Sequence, residues 1–180
     1  MKIILFLIFV TIISGCSNFN NSNIIGPINH PNDYVKGDVV FGLRDSVSLT
    51  NFANYIYSFK NISIKEITFL QYYSNFPHDS LEAIRSALEA KNYIKPNKVN
   101  VFYKSAESRI VAEFWINSFS KDEIKDWTLL KSHFHLIHIP NKYQSGLLKT
   151  PVGQEKKWMD ILLKSNLFRF VELNSITYAY

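Results

Sequence analysis

The chain has 180 residues, 47% of them hydrophobic and 15% aromatic, enough apolar material for one packed domain and too much for disorder beyond its ends. Its net charge is +5, and its one cysteine, Cys16, sits near the amino terminus, which leaves no disulfide, thiolate zinc site or cysteine nucleophile for the folded part. A basic balance suits nucleic acid or anionic lipid, and the amino-terminal pattern below favours lipid, so no nucleic acid is expected among its partners.

Met1-Lys2 precedes an apolar run over residues 3–13 and then Ser14-Gly15-Cys16. A short cationic start, an apolar stretch of h-region length and small residues before a cut make a secretory signal over residues 1–15. The run falls well short of the ~18 apolar residues a bilayer span needs. Ile13-Ser14-Gly15-Cys16 resembles a bacterial lipobox. The resemblance implies cleavage between Gly15 and Cys16, diacylation of the Cys16 sulfur and acylation of the new amino terminus, so the membrane itself is a partner through the lipid anchor. The expected location is the cell envelope, outside the cytoplasm. Ser17 rather than Asp after the lipid site favours an outer membrane where the bacterium has one. After the lipidated cysteine, SNFNNSNIIGPINHPND carries no periodicity and reads as a tether completing residues 16–33, with a reach of roughly 20–25 Å by coil statistics.

Residues 34–180 form one α+β domain. Over 38–43, Val39, Phe41 and Leu43 alternate onto one face of a strand. Ser48 caps a helix carrying Leu49, Phe52, Ala53, Ile56 and Phe59. Residues 62–69 return as a β-branched strand. Asp79, with Glu82 three residues on, predicts a capped second helix with Leu81, Ile84 and Leu88 on its apolar stripe, ending at Asn92. Val99, Val101 and Tyr103, the turn Ser105-Ala106-Glu107-Ser108, and Ile110, Ala112, Phe114 and Ile116 predict a hairpin. Ser120 with Glu123 is a second capping box, opening a helix with Ile124, Trp127 and Leu130 inward. Residues 134–139 read as a strand, 141–153 as a loop, 155–165 as a helix with Trp158, Ile161 and Leu162 on one face, and 168–173 as the last strand.

Catalytic signatures are missing: no GxSxG, GxxxxGK, GxGxxG or HExxH and no calcium loop. No cofactor is expected. His133, His135 and His138 invite a metal, but on a strand two of them share a face and the third opposes them, so no metal site is assigned. Asp122, Glu123 and Asp126 suit the positive end of a helix dipole. No catalytic residue is assigned, and an unrecognised hydrolase is the remotest alternative. Tyr72, Tyr73 and Trp115 are candidate sugar-stacking platforms, since Val111, Glu113 and Trp115 face away from the buried side of their strand.

Two flanking segments carry a family resemblance. Lys36-Gly37-Asp38-Val39-Val40-Phe41-Gly42-Leu43 is similar to the opening strand of subtilisin-like protease prodomains, and EKKWMDILLKSNLFRFVELN, residues 155–174, resembles their final helix, turn and strand. The matching parts span 36–69 and 134–180. The resemblance implies a ferredoxin-like (split βαβ) antiparallel sheet with helices on one face, so that residues 70–133 become an inserted α-ββ-α segment. It implies a non-catalytic inhibitor or folding chaperone whose partner is a subtilisin-like serine protease. Glu172 stands where the family places an acidic residue against the N-termini of protease helices, and Asn174 where Asp is common. Thr177, Tyr178, Ala179 and Tyr180 would lie in the substrate cleft as a processed end, with Tyr180 in the primary pocket and Thr177 in the fourth. The alternative of another class is an envelope structural or carbohydrate-binding lipoprotein that uses exposed aromatics.

Overall fold

The computed structural model describes residues 34–175. The expected signal and tether, including Gly15 and Cys16, and the terminal Thr177, Tyr178, Ala179 and Tyr180 lie outside the described residues. The elements, in chain order, are β1 (Tyr34–Leu43), α1 (Leu49–Ile56), β2 (Ser63–Ser74), α2 (Leu81–Glu89), β3 (Ile94–Lys104), β4 (Arg109–Asn117), α3 (Glu123–His133), β5 (Ile137–His138), β6 (Ser145–Lys149), α4 (Glu155–Leu163) and β7 (Phe168–Ser175). The strands make one antiparallel sheet in the order β3-β4-β2-β6-β1-β7, with β5 pairing β2 beyond the end of β6. The fold is α+β.

Alternation decides which side of this sheet is packed. Val39, Phe41 and Leu43 of β1 and Ile110, Ala112, Phe114 and Ile116 of β4 are buried together with Ile67, Leu70 and Tyr72 of β2. Phe41, Gly146, Ile67 and Ile116 stand opposite one another across four strands, which places them on one face. The helices supply the other half of that core: Leu49, Phe52 and Ile56 from α1, Ile84 and Leu88 from α2, Trp127 and Leu130 from α3, Trp158 and Leu162 from α4. Phe52 lies 4.8 Å from Phe41 between ring centroids, and Trp127 lies 5.0 Å from Tyr72 and 5.5 Å from Phe114. Burial of a large side chain of this kind contributes roughly 1.5–3 kcal/mol, so these contacts set the packing.

Local signals work where they meet no rival. Ser48 accepts the Asn51 N–H at 3.3 Å and opens α1. Ser120 and Glu123 bond reciprocally before α3, the Ser120 N–H donating to the Glu123 carboxylate and the Glu123 N–H to the Ser120 hydroxyl. The hairpin of β3 and β4 turns at Ser105-Ala106-Glu107-Ser108, where Ser108 adopts φ +49°.

Four expectations need correction. The 134–139 strand shrinks to Ile137–His138, because α3 runs on through His133 and ends in a Schellman turn. There His135 has φ +49°, its N–H points to the Ser132 carbonyl, and the Leu136 N–H reaches the Lys131 carbonyl at 2.9 Å. The 141–153 loop contains β6, a strand inside the sheet between β1 and β2. Asp79 caps nothing: a 3-10 turn over His78–Ser80 precedes α2, and Glu82 pairs instead with Arg85 at 2.8 Å. Finally β2 runs to Ser74, so the 70–133 boundary cuts through a strand. The segment after it, α2-β3-β4-α3, extends the same sheet past β2 and shares the one core.

Candidate binding surface on the open face of the sheet

The residues between those core positions make the opposite face, and among the described residues no helix covers it. In β1 these are Asp38, Val40 and Gly42. Across the register Val40 stands between Glu172 of β7 and Leu147 of β6, and Gly42 between Phe170 and Ser145. Val40, Leu147 and Phe170 are half-buried and Glu172 is exposed. Phe170 lies flat over Gly42, where an added Cβ would come within 2.2 Å of its ring. The Arg169 guanidinium sits 5.6 Å from that ring, its Nε donating to the Leu43 carbonyl at 2.9 Å.

The far half of the face belongs to β2, β4 and β3. Gln71 donates to Glu113 at 2.6 Å, and Asn100 reaches the other Glu113 oxygen at 3.4 Å. Tyr73, Val111 and Phe102 form the next row, with the Arg109 guanidinium 4.5 Å from the Tyr73 ring. Phe69 packs edge-on to Trp115, with centroids 5.3 Å apart.

Two buried carboxylates fix the end of this surface. Asp38, 1% exposed, accepts from Lys65 at 2.6 Å and Lys149 at 3.1 Å. Burial pushes its carboxyl up, but hydrogen bonds from Lys65 and Lys149 outweigh that and hold it below the ordinary value. Glu155, 2% exposed at the start of α4, accepts the Gly37 N–H at 2.6 Å and the Gly153 N–H at 3.1 Å. Burial pushes it up too, and the backbone donors together with the Lys36 charge bring it below its usual range. The turn Lys36-Gly37-Asp38 and the first residue of α4, far apart in sequence, are thereby clasped together.

Of the sequence-predicted site residues, Glu172 and Asn174 lie two apart on β7, which puts them on the open face beside Val40 and Leu147. The candidate platforms separate. Tyr72 is fully buried, its hydroxyl accepting the Leu49 N–H at 3.4 Å and its pKa pushed up by burial, so it is no sugar platform. Tyr73 and Trp115 are half-buried on the open face. His133 ends α3, His135 sits in the turn, and His138 bonds to the Gln144 amide at 2.8 Å, its pKa lowered by burial and by Lys131. Among the described residues no three His, Cys, Asp or Glu side chains are placed to hold a metal, and no helix is long and apolar enough to cross a membrane. Sequence reasoning missed Phe170, Leu147 and Phe69. Leu147 needed β6 to be seen, Phe69 needed a bulge, and only Phe170 had a signal, its spacing of two from Glu172.

No family model, curated protein or solved structure matches the chain.

Proposed function

We propose that this is a membrane-anchored cell-envelope lipoprotein, held through Cys16, whose domain is a non-catalytic protein-binding module of ferredoxin-like type. Its most specific partner is a subtilisin-like serine protease, which it would inhibit or help to fold. The observation that carries this reading is the open face: Val40, Leu147 and Phe170 make an apolar strip with Glu172 and Asn174 on its β7 side and no element over it among the described residues. An apolar patch rimmed by polar groups suits a protein partner. An acidic side chain at its margin suits the unsatisfied N–H groups and positive dipole end of a partner helix.

Strand order supports the finer fold. With the β3-β4 hairpin and β5 set aside, the remaining order β2-β6-β1-β7 places the second, third, first and fourth strands as a split βαβ sheet requires. The Gly37–Glu155 clasp joins the two segments that carry the prodomain resemblance. Thr177 to Tyr180, which follow β7 in the sequence, would add to the protease cleft as a strand.

The full chain, purified in detergent, should inhibit a subtilisin-like protease at micromolar concentration. Glu172→Arg and Val40→Arg should each weaken inhibition at least tenfold, and deletion of residues 177–180 should abolish it. Absence of both inhibition and complex formation would overturn the reading. A second reading, carbohydrate binding, is favoured by one observation, the cleft around Trp115.

A further inference from the structure

Trp115 is the one position of β4 at which both neighbouring strands bulge. On β2, Ile67 faces Ile116 and Leu70 faces Phe114, so Thr68 and Phe69 together oppose Trp115. On β3, Ile94 faces Ile116 and Val99 faces Phe114, so residues 95–98 oppose it as well. Each bulge contains a non-glycine residue in the left-handed region, Phe69 at φ +57° and Asn97 at φ +60°. Asparagine tolerates that conformation, but for a side chain as bulky as that of Phe69 it is an outlier, and such strain collects at binding sites. The β2 bulge is pinned by buried Asn141, between β5 and β6, which donates to the Phe69 carbonyl at 2.9 Å. Bulges re-aim side chains. Here they hold Phe69 half exposed against the indole and open a cavity of about 240 Å³ bounded by Phe69, Gln71, Lys98, Asn100, Glu113 and Trp115.

We infer that this cavity binds a pyranose unit bearing a carboxylate, a uronic acid or a carboxylated amino sugar. The volume lies below the roughly 300–1,000 Å³ of pockets for drug-sized ligands, which suits a single ring. An aliphatic sugar ring has an apolar face of C–H bonds and a rim of hydroxyls that both donate and accept. The indole and the Phe69 edge meet the face. Glu113, oriented by Gln71 and Asn100, and the two amides meet the rim; a wholly apolar ligand would strip water from Glu113 and return nothing.

Lys98 supplies the anion contact. Lys95 and Lys98 both lie over the Trp115 ring, at 5.3 and 4.7 Å from its centroid. Lys95 is paired with Glu66 at 2.6 Å, whereas no ion pair among the described residues includes Lys98. Its ammonium rests on the indole by cation–π attraction, the weaker of the two options for a cation. A ligand carboxylate would draw it off the ring and clear part of the stacking face, where Lys95 stays paired with Glu66.

This site uses the β2-β4-β3 half of the sheet and stands apart from the protease reading. The test titrates the full chain in detergent with trigalacturonic acid, N-acetylmuramic acid and neutral maltotriose, followed by tryptophan fluorescence and calorimetry. Saturable binding of at least one acidic sugar, tenfold or more over maltotriose, is expected, and which acid wins assigns the source. Trp115→Ala should weaken it at least tenfold. Exposed Lys98→Met should erase the preference for acid by lowering acidic-sugar affinity to that of maltotriose. No saturable acidic-sugar binding by the wild-type chain, or a preference that survives Lys98→Met, overturns the inference.

Discussion

The two faces of one sheet are built from alternate residues of the same strands and have opposite fates. On one, Phe41, Phe114 and Tyr72 are sealed under four helices. On the other, Phe170, Trp115 and Val40 stay partly in water, though they are about as apolar. Hydrophobicity alone therefore does not close a face; the connections do. Each helix returns over the same side, and among the described residues nothing is left to close the other.

The sharpest test of that contrast is a matched pair of truncations. Phe41→Ala, in contact with Phe52 at 4.8 Å and Phe168 at 5.9 Å, should cost about 3–5 kcal/mol in urea denaturation. Phe170→Ala, on the same pair of strands but the other face, should cost about 1 kcal/mol because its ring is only partly withdrawn from water. Equal losses would mean that the open face is as essential to folding as the covered one. Between them in size stands Glu155→Ala, which leaves the buried Gly37 N–H without its acceptor and should cost about 2–3 kcal/mol by the same measurement.

The smallest effect is one of pH. The folded pKa values of Asp38 and Glu155 lie below their ordinary values of 3.8 and 4.5. Each such carboxylate adds stability that is complete above its unfolded value and is lost as pH falls through the lower folded one. The urea midpoint should begin to fall below about pH 6.5, where the unfolded chain takes up a proton that buried His138 resists, and fall further below about pH 5 through the two carboxylates. In Asp38→Asn the decline should be shallower, and an unchanged slope would show that the Lys65 and Lys149 contacts do not favour the charged form.

Legibility followed the range of the interactions. The Ser48 cap, the Ser120–Glu123 box and the β3-β4 alternation are settled within four residues or one turn, and each forms as its pattern predicts. β6 was hidden because SGLLK offers a glycine, a serine and only two leucines. Its glycine is there for its neighbours: a Cβ at Gly146 would lie 2.0 Å from the Glu66 carbonyl oxygen and 2.8 Å from the Phe41 ring. The end of α3 was misread because His135 takes the left-handed position that glycine usually announces. Glu172 and Asn174 were singled out by the resemblance of residues 155–174 and lie on the open face, while the Trp115 cleft depends on two bulges whose existence lies in the register of three strands.

Residue order by itself determined the α+β alternation, the Ser48 and Ser120–Glu123 caps and which side of each strand is apolar, because hydrophobic period and capping are properties of near neighbours. The tertiary structure alone decided that β6 lies between β1 and β2, that Glu155 clasps Gly37 from 118 positions away, and that all four helices pack into one core. Those outcomes depend on loop closure and on which strands meet, and contacts of such sequence separation leave no periodic trace in the chain.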